Sequence, residues 1–310
     1  MLHINYDVNN DADKEGIYLI GEALSSPIRV AILSQLDNNG KSVTELAKLN
    51  YVSVSSIMFH LELLQKAGLV NVTTIENKKR KTRYASRACA TLSLRMIPNN
   101  ISNDESKIYA ESQPVGGYID SLFGDKSGIV TTQQAFNIYK NEPFRPERFA
   151  AQLIYTNCGY VEYAFNNSQI INHNIQEIRF SLEICSETSY FNNDFKSDIT
   201  FSINGIELLT YTSPGDFGGR KGLLTPSFWG MDATQYGQLV TIIVNNNGVY
   251  LNGVMIKSIL HVQDLKLTDG NCIHFRVESK KNARNRGGFN IFGKHFGDYP
   301  QDIEMTIRYE

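Results

Sequence analysis

Residues 42–84, SVTELAKLNYVSVSSIMFHLELLQKAGLVNVTTIENKKRKTRY, alternate helix-start signals with apolar stripes and end in a basic hairpin, so the fold is read outward from them. Ser42 and Glu45 form a capping box, in which a hydroxyl and a carboxylate each take up a backbone N–H that the first turn of a helix leaves unpaired. Val43, Leu46 and Ala47 give a short apolar face, and Asn50 and Tyr51 turn the chain. Ser53 is a second N-cap, after which Ile57, Leu61 and Leu64 recur at the spacing of one helix side and are expected in the core. At 100° per residue, Ser55, Ser56, Phe59 and Glu62 lie on the opposite side. Gly68 ends this helix. Residues 70–75 and 79–85 then read as paired strands around a turn at Glu76, Asn77 and Lys78.

Upstream, Ile17, Ile20, Gly21 and Leu24 follow helical spacing, which predicts an amphipathic helix that covers the domain or pairs with a second subunit. Ser26 caps the next helix, Pro27 takes its first position, where no N–H partner is lost, and Ile28, Ile32 and Leu36 form its stripe. Asn38, Asn39 and Gly40 stop it. Tandem short helices followed by a hairpin make residues 24–84 a mainly-α winged helix-turn-helix. Lys78, Lys79, Arg80, Lys81 and Arg83 face a single Glu76 on the hairpin, a cluster suited to phosphate contacts flanking a groove. Ser55, Ser56 and Phe59 sit where such a helix enters the major groove, with Phe59 placed to meet a thymine methyl or, alternatively, to pack on a neighbouring element. Double-stranded DNA is the expected partner.

These segments, LSSPIRVAILSQL above all, with the helix after Ser53 and the basic hairpin, resemble the winged-helix domain of the ArsR-type bacterial regulators. The resemblance covers about a fifth of the chain. It implies a homodimer on a pseudo-palindromic site, with the helix from Ser53 and Val54 onward in the groove and the wing on the backbone. His60 matches a position where the family often has histidine, although a lone histidine near a buried side also reads as a packing residue. Metal-sensing members carry cysteines on the support helix, where this chain has Glu45, Leu46, Ala47 and Lys48, so no metal site and no cofactor are expected.

The 310 residues are 42% hydrophobic and 20% charged, ordinary for a globular chain of two domains. The net charge of −2 hides an asymmetry: residues 1–97 hold 12 Lys and Arg against 9 Asp and Glu, and the rest 18 against 23, so only the front part attracts phosphate. The first twenty residues lack the basic start and apolar run of a signal peptide, and no stretch of apolar residues is long enough to span a bilayer, so a cytoplasmic protein with no membrane role is expected. Cys89, Cys158, Cys185 and Cys272 lie far apart without a CxxC pair and read as reduced thiols. Domain boundaries are set at 1–97 for the winged helix-turn-helix, 98–112 for a linker and first strand region, and 113–310 for the remainder.

In that remainder, two-residue alternation dominates: Val161, Tyr163, Phe165; Ile178, Phe180, Leu182, Ile184; Ile199, Phe201, Ile203; Ile273, Phe275, Val277; Ile303, Met305, Ile307. Asn204-Gly205 and Asn252-Gly253 are tight-hairpin signals, and residues 245–248 a weaker one. An all-β antiparallel sandwich, jelly-roll-like, is expected. The stretches QPVGGYIDSLFGDKSGI, FRPERFAAQLIY, TSPGDFGGRKGLLTPSFWG and GGFNIFGKHFGDYPQDIEM are similar to the C-terminal region of a group of predicted winged-helix transcriptional regulators. That similarity implies a transcriptional role and no particular ligand.

Loops between the strands collect Tyr190, Asn192, Asn193 and Asp194; Asp216, Arg220, Trp229, Gln235 and Tyr236; and Asn290, His295, Asp298, Gln301 and Asp302. Rings that cover a C–H face, with amides, carboxylates and a guanidinium for hydroxyls, suit a carbohydrate, and the effector-binding candidates are Asn193, Asp216, Arg220, Trp229, Gln235, Tyr236, Asn290, Asp298 and Asp302. The competing reading has the rings filling the core and the Asp and Asn residues making turns. Gly288-x-x-x-x-Gly293-Lys294-His295 approaches a phosphate loop but lacks the Ser or Thr that holds magnesium, and Glu162, Glu183, Asp216 and Asp302 could pair as glycosidase carboxylates, yet sequence gives neither their separation nor a raised pKa. The expected protein is therefore a non-enzymatic regulator with a sensor. Two alternatives stay open: a carbohydrate-active or carbohydrate-binding protein with an accessory DNA-binding domain, and a β-domain that serves protein interaction or assembly.

Overall fold

The computed structural model describes residues 2–36, 40–77, 80–96, 107–138 and 142–310. The chain divides into two units, Met1–Asp104 and Glu105–Glu310. In the first, α1 spans Lys14–Leu24, α2 Pro27–Gln35, α3 Val43–Leu49 and α4 Val54–Lys66. The caps act locally: Ser42 Oγ accepts from Glu45 N at 3.2 Å and Ser53 Oγ from Ser56 N at 3.1 Å. Ile32, Leu36, Val43, Leu46, Ala47, Ile57, Leu61 and Leu64 are all buried and close the helices into one core with Val70 and Ala85 of the hairpin. Truncating one such leucine to alanine removes roughly 3 kcal/mol of stability.

Three local expectations change. Ser26 stands at the N-cap of α2 but makes no side-chain cap bond. Instead the α1–α2 corner is held by Arg29, buried, whose Nε donates to Ala23 O at 2.8 Å and Nη2 to Glu22 O at 2.7 Å. A cation there satisfies carbonyls that the end of α1 leaves unpaired and lies at the negative pole of its dipole. The hairpin strands are Val70–Asn77 and Arg80–Arg87, with Glu76 opposite Lys81 and Asn77 opposite Arg80. Glu76 and Asn77 are thus paired strand residues rather than turn residues, while Lys78 and Lys79 lie outside the described residues. Finally, Leu2–Asp7 forms a strand that pairs in parallel with Cys89–Arg95, a feature absent from the sequence reading.

The second unit is two antiparallel sheets packed face to face. One sheet of ten strands runs in the order Val254–Lys257, Gly248–Leu251, Gln238–Asn245, Ile175–Cys185, Phe289–Phe292, Leu153–Thr156, Ser127–Val130, Ala135–Asn137; Ile303–Tyr309 pairs with Ile175–Cys185 and carries Lys107–Gln113. The other, of five, runs Ile206–Ser213, Ser197–Ile203, Cys272–Ser279, Gly159–Asn166, Asp120–Phe123. Every apolar member of the five alternating sets is buried in the interior between them. Rings from both sheets meet there: Phe180 stacks on Phe275 with centroids 4.0 Å apart, and Phe165 meets Phe180 edge-on at 5.2 Å. The Asn-Gly turns work as their chemistry demands, with φ of 49° and 78° at Asn204 and Gly205 and 49° and 82° at Asn252 and Gly253. Those left-handed values match the twist of the flanking strands.

Candidate nucleic-acid interface and the polar sites of the second unit

The α4 face opposite the core is open. Phe59 is 58% exposed, and Val54, Ser55 and Glu62 are exposed, while Ser56 is half-buried. The Ser53 and Ser55 hydroxyls lie 2.8 Å apart, so the start of the helix presents a bonded hydroxyl pair. His60 is half-buried beside Phe59, its ring edge-on at 5.7 Å, and its Nδ1 is buried without a partner among the described residues. Burial, and then the charge of Arg29, lowers its pKa, which keeps the imidazole neutral.

Between the starts of α3 and α4 and the hairpin lies a concavity of about 910 Å³, lined by Ser42, Val43, Thr44, Val54, Met58, Thr74, Lys81, Thr82, Arg83 and Tyr84. Arg83 pairs with Thr74 and Lys81 with Glu76, so Lys81 and Arg83 rise on one face of the hairpin and Thr82 and Tyr84 on the other. Lys81 and Arg83 are exposed, and Arg80 is placed by its pairing with Asn77. The hydroxyls of Thr44, Thr74, Thr82 and Tyr84 on this wall were missed in the sequence, because only the folded hairpin brings them beside α3.

In the second unit the loop residues separate into distinct clusters. Arg220 forms a two-pronged ion pair with Asp298, its guanidinium lying 3.5 Å from the centroid of the Tyr236 ring, and Asp298 also accepts from Leu223 N at 3.0 Å. Against the upward push of burial, these bonds pull the Asp298 carboxyl below its ordinary range. Glu183, buried, accepts from the backbone N–H groups of Gly237 at 2.7 Å, Asp298 at 3.0 Å and Tyr299 at 2.9 Å. Burial nevertheless raises its pKa to about 7, and only glycine fits at Gly297, where φ is 82° and a Cβ would lie 2.4 Å from the carboxylate. Asn193 receives Gly218 N at 3.1 Å and shapes its loop. Gln235 is buried and donates to Gly230 O and Ala233 O at 2.7 and 3.0 Å, and Asp302 sits buried with Lys294 Nζ 4.0 Å away.

Asp216, Trp229 and Asn290 come together around a pocket of about 160 Å³, with Trp229 and Asn290 in its lining. The lining also includes Tyr155, Glu187, Thr188, Tyr190 and Thr234. Trp229 Nε1 donates to Thr234 O at 2.8 Å, and its ring meets Phe296 edge-on at 5.9 Å. Asp216 lies behind the wall, fully buried, accepting from Thr188 N at 2.9 Å; burial raises its carboxyl to about 7. Tyr155 has room because position 128 is glycine: a Cβ there would lie 2.3 Å from the Tyr155 hydroxyl. Tyr155 and Glu187 escaped the sequence reading, since Tyr155 joins Asn290 only through the register of two distant strands.

A separate polar row lies on the outer face of the five-stranded sheet. Glu162 meets His274 Nδ1 at 3.0 Å and Arg276 Nε at 2.7 Å, and His274 Nε2 is 3.3 Å from Cys272 Sγ. Among the described residues no group of three His, Cys, Asp or Glu side chains is arranged to hold a metal ion, and all four cysteines are free. The stretch that approached a phosphate loop contains the buried strand Phe289–Phe292.

Residues 24–73 match the family model of a helix-turn-helix domain. Comparison with curated protein sequences gives no match. Among solved structures, HlyU from Vibrio cholerae is 25% identical over 26% of this chain and 84% of its own, with a TM-score of 0.23. NolR from Sinorhizobium fredii is 27% identical over 25% and 73%, with a TM-score of 0.21. The tandem CBM51 modules of the family 98 glycoside hydrolase Sp3GH98 from Streptococcus pneumoniae are 11% identical over 76% and 61%, with a TM-score of 0.24. The family match assigns a DNA-binding helix-turn-helix domain to the first unit.

Proposed function

We propose that the chain is a transcriptional regulator of ArsR type whose winged helix reads an operator and whose β-sandwich binds a small effector, a carbohydrate. The observation that carries the first part is the concavity between α3, α4 and the hairpin, lined by Val54, Met58 and the cations Lys81 and Arg83, in a unit where Phe59 of α4 is exposed and residues 24–73 match a helix-turn-helix domain. A duplex fits there with α4 in the major groove and the hairpin on the phosphates. Ser53, Val54, Ser55, Ser56 and Phe59 supply the base-edge side, His60 supports it from behind, and Lys78, Lys79, Arg80, Lys81 and Arg83 supply the charge.

A homodimer reading a pseudo-palindrome is supported by an apolar cleft of about 370 Å³ lined by Leu24, Val30, Leu33 and Leu92, three of them exposed in a single copy. A second copy of the chain is the occupant proposed for it. The protein works in the cytoplasm. We read the second unit as a binder and not an enzyme because Asp216 is engaged by Thr188 N–H behind the pocket wall, which leaves Glu187 as the one carboxyl in the pocket lining. Glycoside hydrolysis generally takes two. An effector acts by binding the two DNA-competence states unequally.

The test is fluorescence anisotropy of the full chain on a labelled duplex carrying its own promoter, at low and at moderate salt. Binding that weakens linearly in a log–log salt plot is expected. Absence of binding in dilute buffer, with and without sugars, overturns the proposal.

A further inference from the structure

Resting on the reading of the second unit as the effector binder, we propose that its ligand is a neutral monosaccharide seated between Trp229, Tyr155, Tyr190, Glu187 and Asn290. The pocket of about 160 Å³ is on the scale of a single sugar ring.

Asn290 decides the polarity. It is fully buried, its Nδ2 donates to Ser186 O at 2.6 Å and to Glu187 Oε2 at 2.8 Å, and its Oδ1 has no partner among the described residues. Ser186 O can only accept, so turning the amide over would set two oxygens against each other. A buried acceptor of this kind calls for a donor from outside the protein.

Glu187 completes the set. Burial first, and then neighbouring Asp216, raises its pKa to about 8, against the opposing pull of Asn290 and Lys126. At neutral pH it is a carboxylic acid with an O–H to give. The lining therefore carries the Asn290 amide and the Glu187 carboxyl side by side, together with Tyr155, Tyr190 and Trp229. A sugar hydroxyl both donates and accepts, and a sugar C–H face covers a ring. No Lys or Arg belongs to the lining; Lys126, bonded to the Ser189 hydroxyl at 3.3 Å, lies outside it. A quaternary ammonium ion would suit the rings but would leave Asn290 Oδ1 dry and require Glu187 to ionise.

The full chain is titrated with D-glucose, D-galactose, D-xylose and N-acetyl-D-glucosamine, and separately with choline chloride, following the fluorescence of Trp229, the only tryptophan in the sequence. At least one sugar is expected to saturate. Its affinity declines above about pH 8 as Glu187 loses its proton, in the setting of Asp216, Cys185, Tyr155 and Lys126. Asn290→Leu weakens it by about tenfold or more, and Glu187→Gln keeps binding but abolishes the alkaline decline. Tyr190, 72% exposed, provides a variant whose folding is secure, and Tyr190→Ala also weakens binding. The proposal is overturned if no sugar binds, if choline binds with affinity that rises above pH 8, or if Tyr190→Ala and Glu187→Gln both leave the sugar affinity and its pH profile unchanged. Operator binding measured on the same samples separates the two proposals: a sugar that binds without altering DNA affinity keeps the site and removes the coupling.

Discussion

Lys81 and Arg83 stand in solvent on the hairpin of the first unit, whereas the second unit encloses Glu183, Asp216 and Glu187 and raises all three above the ordinary carboxylate range. An exposed cation costs the fold almost nothing and contributes little to it. A buried carboxyl is costly, and the fold answers with backbone donors around Glu183 and Asp216. The lesson is where to look in each. On the proposed reading, the first unit acts through exposed groups, and the second through polar atoms such as Asn290 Oδ1 that have no partner among the described residues.

The largest effect that tests this contrast is on stability against pH. Between the ordinary carboxylate range and pH 7 to 8 the folded second unit binds more protons than the unfolded chain, so its unfolding free energy falls as pH climbs through that window and levels off above it. A tenfold change in proton affinity is worth about 1.4 kcal/mol, so the decrease is about 3 to 5 kcal/mol for each of these carboxyls taken alone. Melting followed at Trp229 is expected to move down from pH 5 to 8, with the slope reduced in Asp216→Asn; a flat or rising profile would mean that the carboxyls ionise freely in the folded protein.

The next effect is on the exposed side. Removing Lys81 and Arg83 together is expected to weaken binding to every duplex about tenfold at low salt and to lower the log–log salt slope by about 0.9 for each phosphate left without its cation. The Trp229 melt should not move. An unchanged slope would make the hairpin charges a solvated face and dissolve the contrast.

The smallest effect is the most selective. Phe59→Ala is expected to change preference among operators by about 1 kcal/mol and stability by less than about 0.5 kcal/mol, since its ring is 58% exposed. Equal losses on all sequences, measured by competition among duplexes, would move Phe59 from base contact to support.

The two units also differ in how far their sequence could be read. Helix α4 is local: Ser53, Ile57, Leu61 and Leu64 lie within four turns, and each takes the predicted place. The alternating strand sets were equally legible, because burying one face needs only a period of two. Leu2–Asp7 was not, since its partner Cys89–Arg95 lies at the far end of the unit. The turn misplaced onto Glu76 and Asn77 reflects a register that the pairing of Asn77 with Arg80 sets. In the pocket, Trp229 and Asn290 were legible as loop or strand-end polar and aromatic residues. Tyr155 looked like any strand residue, and it gains its role from lying opposite Asn290, 135 positions later, in an antiparallel ladder.

The parallel pairing of Leu2–Asp7 with Cys89–Arg95 has a mechanical consequence. Force applied between the beginning of the first strand and the end of the second drags the two past each other, loading the rungs together in shear instead of peeling them one by one. A tug arriving along the chain beyond Arg95 would thus meet a clamp before it reached the helices.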